Sequence, residues 1–250
     1  MNNKGFTLIE IIVTLAITMI MTTIIYVAIN STQWSSSGIE RKVTAQQDEK
    51  AALSVMEMEI RMASYNPLFV LDNALWRNAA DCVTLSANPA YKGIQTATAN
   101  SITIEMDTYI PPLPATQVEN GVIGDSNEII QYNYDTANRY ITRETNCGGA
   151  QPFLGDTAAS GRPRTVRVIN GDLTIFNPTI PVFRYFNGSG ADISATVESD
   201  PANITSGIPA IRRIDIILAV ETEYVDPSTK QRRRMIYSSS VIVRNHAPAL

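Results

Sequence analysis

Residues Phe6 to Ile29 hold 24 positions with a single charge, Glu10. As an α-helix this run is about 36 Å long, and the hydrocarbon core of a bilayer is about 30 Å thick. The stretch is therefore expected to span a membrane, as residues 6–30. The short leader before it, residues 1–5, carries Lys4 and no acid. By the positive-inside tendency that leader stays on the cytoplasmic side, and everything after Asn30 lies across the membrane.

The run does not read as an ordinary secretory signal. It is too long for an h-region, and the polar stretch Asn30 to Ser37 offers no small-x-small cleavage site. The candidate cleavage point precedes the apolar run, at Gly5–Phe6. Glu10 sits one turn inside the run. A carboxylate costs about 2.5–3.5 kcal/mol at the centre of a membrane helix and less near its end. Two readings of Glu10 follow: an assembly contact with another subunit, or an interfacial side chain that snorkels toward water.

The segment Lys4-Gly5-Phe6-Thr7-Leu8-Ile9-Glu10 resembles the type IV prepilin family. In that family a leader peptidase cuts after the Gly and methylates the new terminus, so the resemblance implies cleavage at Gly5–Phe6 and N-methylation of Phe6. It also implies that Glu10 pairs with the terminal amine of a neighbouring subunit. A second segment, EIRMASYNP (Glu59 to Pro67), is similar to the end of the long helix in PilW-type minor pilins. Ser64 stands where a Gly is common there. The order of the strand pairs is also similar to J-type pseudopilins of type II secretion.

After a polar NSTQWSSSG segment, Ile39 to Tyr65 returns to helical spacing. Ile39, Val43, Leu53, Met56, Ile60 and Ala63 form the apolar positions, and Glu57 and Arg61 an i,i+4 pair. The Ser cluster and Gly38 suggest a hinge, or a weak point in one long, two-part helix. Asn66-Pro67 is the expected stop. Residues 31–67 thus read as the amphipathic second half of the helix, and 68–250 as a β-rich domain.

Between Leu68 and Asn100 the signal is poor, although Phe69 and Trp76 suggest a small apolar cluster. Alternation marks strands at 101–106, 128–135, 139–145, 164–170 and 181–187. Two more are expected at 211–224 and 232–245. Residues 146–161 read as loop. The expected fold is α+β and pilin-like: a long N-terminal helix, transmembrane then amphipathic, packed on one antiparallel sheet of five to seven strands.

Cys82 and Cys147 both lie beyond the membrane run, on an oxidising side. A bridge between them closes about 66 residues and is worth roughly 4 kcal/mol in the chain-entropy account. The alternative is two unrelated thiols. Neither has metal-site spacing, and no metal or cofactor is expected. The single histidine, His246, reads as a solvated tail residue. Asp192, Glu198 and Asp200 offer oxygen donors without the spacing of a calcium loop, and read as solvated polar residues.

The net charge of −4 argues against nucleic acid as a main partner. Arg232-Arg233-Arg234 reads as the exposed start of a strand. No nucleophile elbow, paired-His motif or phosphate loop occurs, so no catalytic residues are expected. The resemblance implies a minor pilin that primes or joins a type IV pilus. It implies other major and minor pilins as partners through the N-terminal helix, with a prepilin peptidase, an inner-membrane assembly platform, the lipid bilayer and a tip adhesin. The localisation it implies is a single pass through a bacterial inner membrane with a periplasmic domain, then a filament at the cell surface. The alternatives are a J-type pseudopilin and a single-span anchored binding domain.

Overall fold

The computed structural model describes residues 7–71, 75–76, 88–108, 121–155, 164–226 and 229–246. One helix, α1 (Leu8–Arg61), runs unbroken for 54 residues. Of the two readings of Ser35 to Gly38, a hinge or a weak point in one long helix, the continuous helix is the one found. Gly38 is buried, and a Cβ added to it would lie 3.3 Å from Asp226 Oδ1. Its glycine is thus a close packing contact with a distant part of the chain. The helix is held from Gly38 onward, where Gly38 meets Asp226 and Arg41 donates to Val225 O.

The described part of α1 divides in burial as expected, but with a different stripe. Its first half is exposed along its whole length. In its second half the buried positions are Gly38, Ala45, Glu49, Ala52, Leu53, Met56 and Ile60. Ile39 and Val43, expected to face the sheet, are instead 62% and 44% exposed. Small residues at 38, 45 and 52 let the helix axis come close to the sheet, and this fixes a face on which Ile39 and Val43 point outward.

The helix ends at Arg61, one turn earlier than Asn66-Pro67 suggests, with Met62 as its cap. Ser64 then takes φ +63°, the left-handed region that glycine favours. Its N–H donates to Glu105 O at 2.8 Å, and Asp107 N–H donates to Tyr65 O at 2.9 Å. The chain leaving the helix is thereby laid along the first sheet. Gly93 makes this approach feasible: a Cβ there would fall 2.4 Å from Ser64 N and from Glu105 O.

The strands form two sheets rather than one. The first is a five-stranded antiparallel meander of β1 (Ile94–Ala97), β2 (Ser101–Glu105), β3 (Ile129–Asp135), β4 (Tyr140–Thr145) and β5 (Gln151–Leu154). The hairpin β3–β4 has the expected strands and the Thr-Ala-Asn turn, closed by Arg139 at φ +60°. Strand β5 lies in a region expected to be loop. It is a short edge strand whose Pro152 and bulged register leave little alternation to read.

The second sheet is built around β8 (Arg213–Thr222). β9 (Arg234–Ile242) pairs with it along one side, in register from Arg213↔Ile242 to Glu221↔Arg234. On its other side β7 (Phe183–Phe186) pairs with the start of β8 and β6 (Val166–Val168) with its end. Residues Ile214, Ile216, Leu218 and Val220 of β8 are buried on one face; on the other, Ala219 is buried and Ile217 half-buried. A short helix, α2 (Ser194–Ser199), follows β7.

The main core joins Met56 and Ile60 of the helix to Ile104, Tyr132, Leu218 and Val220 of the two sheets. A smaller cluster holds Leu75, Trp76, Ile123 and Ile129. Trp76 is therefore core, as its sequence context suggests. Phe69, placed with it in expectation, is 89% exposed at φ +52°, because the turn after Asn66 directs it to solvent.

Candidate functional site: the N-terminal helix and its hold on the head

Thr7 caps α1. Its N–H and hydroxyl both donate to Glu10 Oε2, at 2.8 and 2.9 Å, while Glu10 N–H donates back to Thr7 Oγ1 at 3.4 Å. This is a capping box, in which two helix-end donors find acceptors without solvent. It also gives the Glu10 carboxylate a local set of donors inside an apolar run. Lys4, Gly5 and Phe6 lie outside the described residues.

The apolar half is chemically closed. Thr18, Thr22 and Thr23 hydroxyls donate to the carbonyls of Thr14, Thr18 and Met19 at 2.7, 2.8 and 2.9 Å. Thr14 does the same to Ile11 O at 2.9 Å. Folded back in this way, these hydroxyls present their methyl groups to the surroundings, so they cost little in lipid. Leu8 to Ile29 then forms an uninterrupted apolar surface, apart from Glu10.

The other end of α1 is clamped to both sheets. Glu59 takes a two-point contact from Arg143, 3.1 Å to Nε and 2.7 Å to Nη2, and the Tyr132 hydroxyl donates to the same carboxylate. Burial, then the Glu59 charge, pushes the Tyr132 phenol above its ordinary range, so it stays a donor at any physiological pH. Glu57 pairs with Arg61 as expected and accepts from the Ser239 hydroxyl of β9 at 2.9 Å. One turn thus holds the first sheet through Glu59 and the second through Glu57.

His246 overturns the expectation of a solvated tail. It is buried, with Nδ1 2.8 Å from Ser64 Oγ and Nε2 2.9 Å from Ile208 O. Gly93 N–H donates to the same Ser64 Oγ at 3.1 Å. With the proton on Nε2, the whole relay is satisfied in one direction: Gly93 to Ser64, Ser64 to His246, His246 to Ile208. A serine beside a histidine invites comparison with a hydrolase, but both side chains are enclosed. The pair instead fastens the C-terminal segment to the end of α1. Sequence gave no signal for it, because the contact joins residues 182 positions apart.

Glu49 was also unanticipated. It is fully buried on the covered face of α1, and neither oxygen has a hydrogen-bond partner among the described residues. Burial raises its carboxyl to about 8, so it is mostly protonated at neutral pH.

Asp192, Glu198 and Asp200 are held apart by other duties. Asp192 pairs with Arg184 at 2.5 Å and caps Ser194, and Glu198 accepts Ala99 N–H at 2.6 Å. Asp200 is exposed and meets the Asn203 amide at 3.2 Å. Among the described residues no three acidic, His or Cys side chains gather in a metal-binding group. Cys147, at φ +53° in the turn after β4, is not a free thiol. Cys82 lies outside the described residues. Of the arginine run, Arg234 opens β9 as expected. Arg233 pairs with Asp226 at 2.7 Å, and Arg232 lies 3.9 Å from Glu221.

An apolar helix with one capped carboxylate in its first turn follows directly on the leader. Residues 1–26 match the prokaryotic N-terminal methylation motif. This is a type IV pilin-like prepilin signal, and it covers the leader and most of the apolar half of α1. No curated protein and no solved structure matches the chain. The signal fits the architecture: a long N-terminal helix, apolar and uncovered at first, then packed on antiparallel sheets, as in a pilin-like α+β fold.

Proposed function

We propose that the protein is a minor type IV pilin, a structural subunit and not an enzyme, which primes or joins a pilus after cleavage at Gly5–Phe6. The observation that supports this reading is the prepilin signal placed directly on a helix whose first half is covered by nothing among the described residues. A helix so exposed needs either lipid or other helices around it. In the membrane-resident subunit the surroundings are lipid, with the head on the periplasmic side. In a filament they are the corresponding helices of other pilins.

Glu10 is the assembly contact in this reading. Its Thr7 donors are drawn from its own helix end and can be exchanged for the charged amine of a neighbour's Phe6. In apolar surroundings that exchange is favourable, because an ion pair gains more there than two neutral donors supply. The prepilin peptidase and an inner-membrane assembly platform are the implied processing and export partners, and a tip adhesin an implied neighbour. A Cys82–Cys147 bridge would brace the head on the oxidising side of the membrane.

The test is the N-terminal mass of the protein purified from its native membrane. Expected is a chain beginning at Phe6 with one added methyl group. A chain that retains Met1 to Gly5 would refute the processing and favour a plain membrane anchor for a binding domain.

A further inference from the structure

The contacts that α1 makes with the β8–β9 hairpin follow a strict order. Near the end of the helix Glu57 meets Ser239. Further back Gln46 donates to the Tyr237 hydroxyl at 3.2 Å. Arg41 Nη1 donates to Val225 O at 3.0 Å and its guanidinium lies 5.3 Å from the Tyr224 ring centre. Last, Gly38 abuts Asp226. Read toward the N-terminus, the helix passes down the hairpin to its tip. The tip is therefore the part of the hairpin nearest the apolar half of α1.

The distance is short. Gly38 is nine residues beyond Ile29, about 14 Å along the axis. The headgroup layer occupies roughly 5–7 Å outside the hydrocarbon. Trp34 marks the same level independently: it is 57% exposed on the helix between the apolar run and the hairpin tip, the place aromatic belts occupy. A gap of roughly 7 Å is left, within reach of a lysine side chain and inside a Debye length.

The chemistry of the tip suits what lies across that gap. The chain as a whole is acidic, at −4, yet Lys230, Arg232, Arg233 and Arg234 fall within five residues here. The nearby acids Glu221 and Asp226 are buried against Arg232, Arg233 and Arg234, Glu223 is taken up by Arg164 and Arg167, and Glu40 is exposed on the helix; Lys230, Arg233 and Arg234 are exposed. Lys230 and, on the adjoining helix, Lys42 are exposed and have no ion-pair partner among the described residues. Arg232 and Arg234 line an open cleft of about 830 Å³, each near 3.8–3.9 Å from Glu221. Tyr224 and Val225, 56% and 44% exposed, complete an interface-seeking surface of basic and amphipathic side chains.

We propose that the tip of the β8–β9 hairpin, with Lys42 beside it, is a docking surface for the anionic phospholipid headgroups of the bilayer from which α1 emerges. It rests on the reading of α1 as a membrane span. The contact holds the head against the membrane while the subunit waits in the bilayer, and it must be released when the subunit is drawn out. Each basic group close to an anionic surface strengthens attachment about fivefold, the equivalent of about 1 kcal/mol.

The experiment uses the full chain in lipid nanodiscs, of phosphatidylcholine alone or with phosphatidylglycerol added, and reads backbone hydrogen exchange. Amides 229–234 are expected to exchange about tenfold slower in the anionic discs. High salt or the double variant Lys42→Glu with Lys230→Glu should erase the difference, while β3 amides stay unchanged as a folding control. Equal exchange at the tip in both lipids, with amides 11–26 protected, overturns the docking surface and leaves the span standing. Fast exchange at 11–26 removes the span and the docking surface together. Protection by a DNA duplex, but not by anionic discs, overturns the assignment to lipid.

Discussion

Replacing Glu49 by Gln should stabilise the protein in a pH-dependent way. In the unfolded chain this carboxyl titrates near 4.5, and in the folded chain near 8. Below pH 4.5 both states hold the proton, so Glu49 has no differential effect. Between the two values the unfolded chain releases its proton while the folded chain keeps it. Stability then falls as pH rises, by about 1.4 kcal/mol per unit, and levels off above about 8. At pH 7 the full effect is about 3 kcal/mol, and relaxation around the site lowers it to about 2. Glutamine has nearly the same shape and stays neutral throughout. The variant and the parent should therefore unfold alike at pH 4.5, and the variant should be more stable by about 2 kcal/mol at pH 7. For a domain of this size that corresponds to roughly 4–8 °C in the midpoint. The assay is thermal unfolding of both proteins in a neutral detergent, followed by near-ultraviolet circular dichroism from pH 4.5 to 8.5. Because all other titrating groups are shared, only Glu49 contributes to the difference. A gap that does not change with pH would refute the account of a buried, unpartnered carboxyl.

Ser64→Ala should cost about 1–3 kcal/mol, because it leaves the Gly93 N–H and His246 Nδ1 without partners while φ at 64 stays positive; urea unfolding of the full chain measures it, and an unchanged midpoint would show that the relay carries no stability. Glu10→Leu should be processed at Gly5–Phe6 at the parental rate yet be depleted at least tenfold from sheared filaments. Recovery there at the parental level would exclude Glu10 as an assembly contact.

The division into an apolar helix, an amphipathic helix and a β-rich head was legible because each part has its own period. The β3–β4 and β8–β9 hairpins were legible for the same reason, since alternation and turn residues are local signals. What escaped depends on partners distant in sequence. Gly38 looks like a helix breaker until Asp226 is placed against it. Ile39 and Val43 fit a helical stripe as well as Ala45 and Ala52 do, and only the sheet decides which stripe is covered. His246 follows the last strand, where exposure is the usual outcome, and Ser64 and Ile208 reverse it. The split into two sheets was hidden for a further reason. Strand order does not reveal where pairing stops, and β5 and β6 are too short to announce an edge. At the candidate site the sequence carried the processing signal and Glu10. It carried nothing of the Glu57–Glu59 clamp beyond the Glu57–Arg61 pair, because the partners Arg143 and Ser239 come from separate strands.

The unbroken course of α1 has a mechanical consequence. A helix of 54 residues is about 81 Å long, and the head grips only the part beyond Gly38. With no joint at Ser35 to Gly38, the exposed half and the head form one piston. An axial pull that withdraws the apolar half by one turn raises the head by the same 5.4 Å, and a twist applied at Glu10 turns the head through an equal angle. Force delivered at one end arrives at the other with no slack to take up.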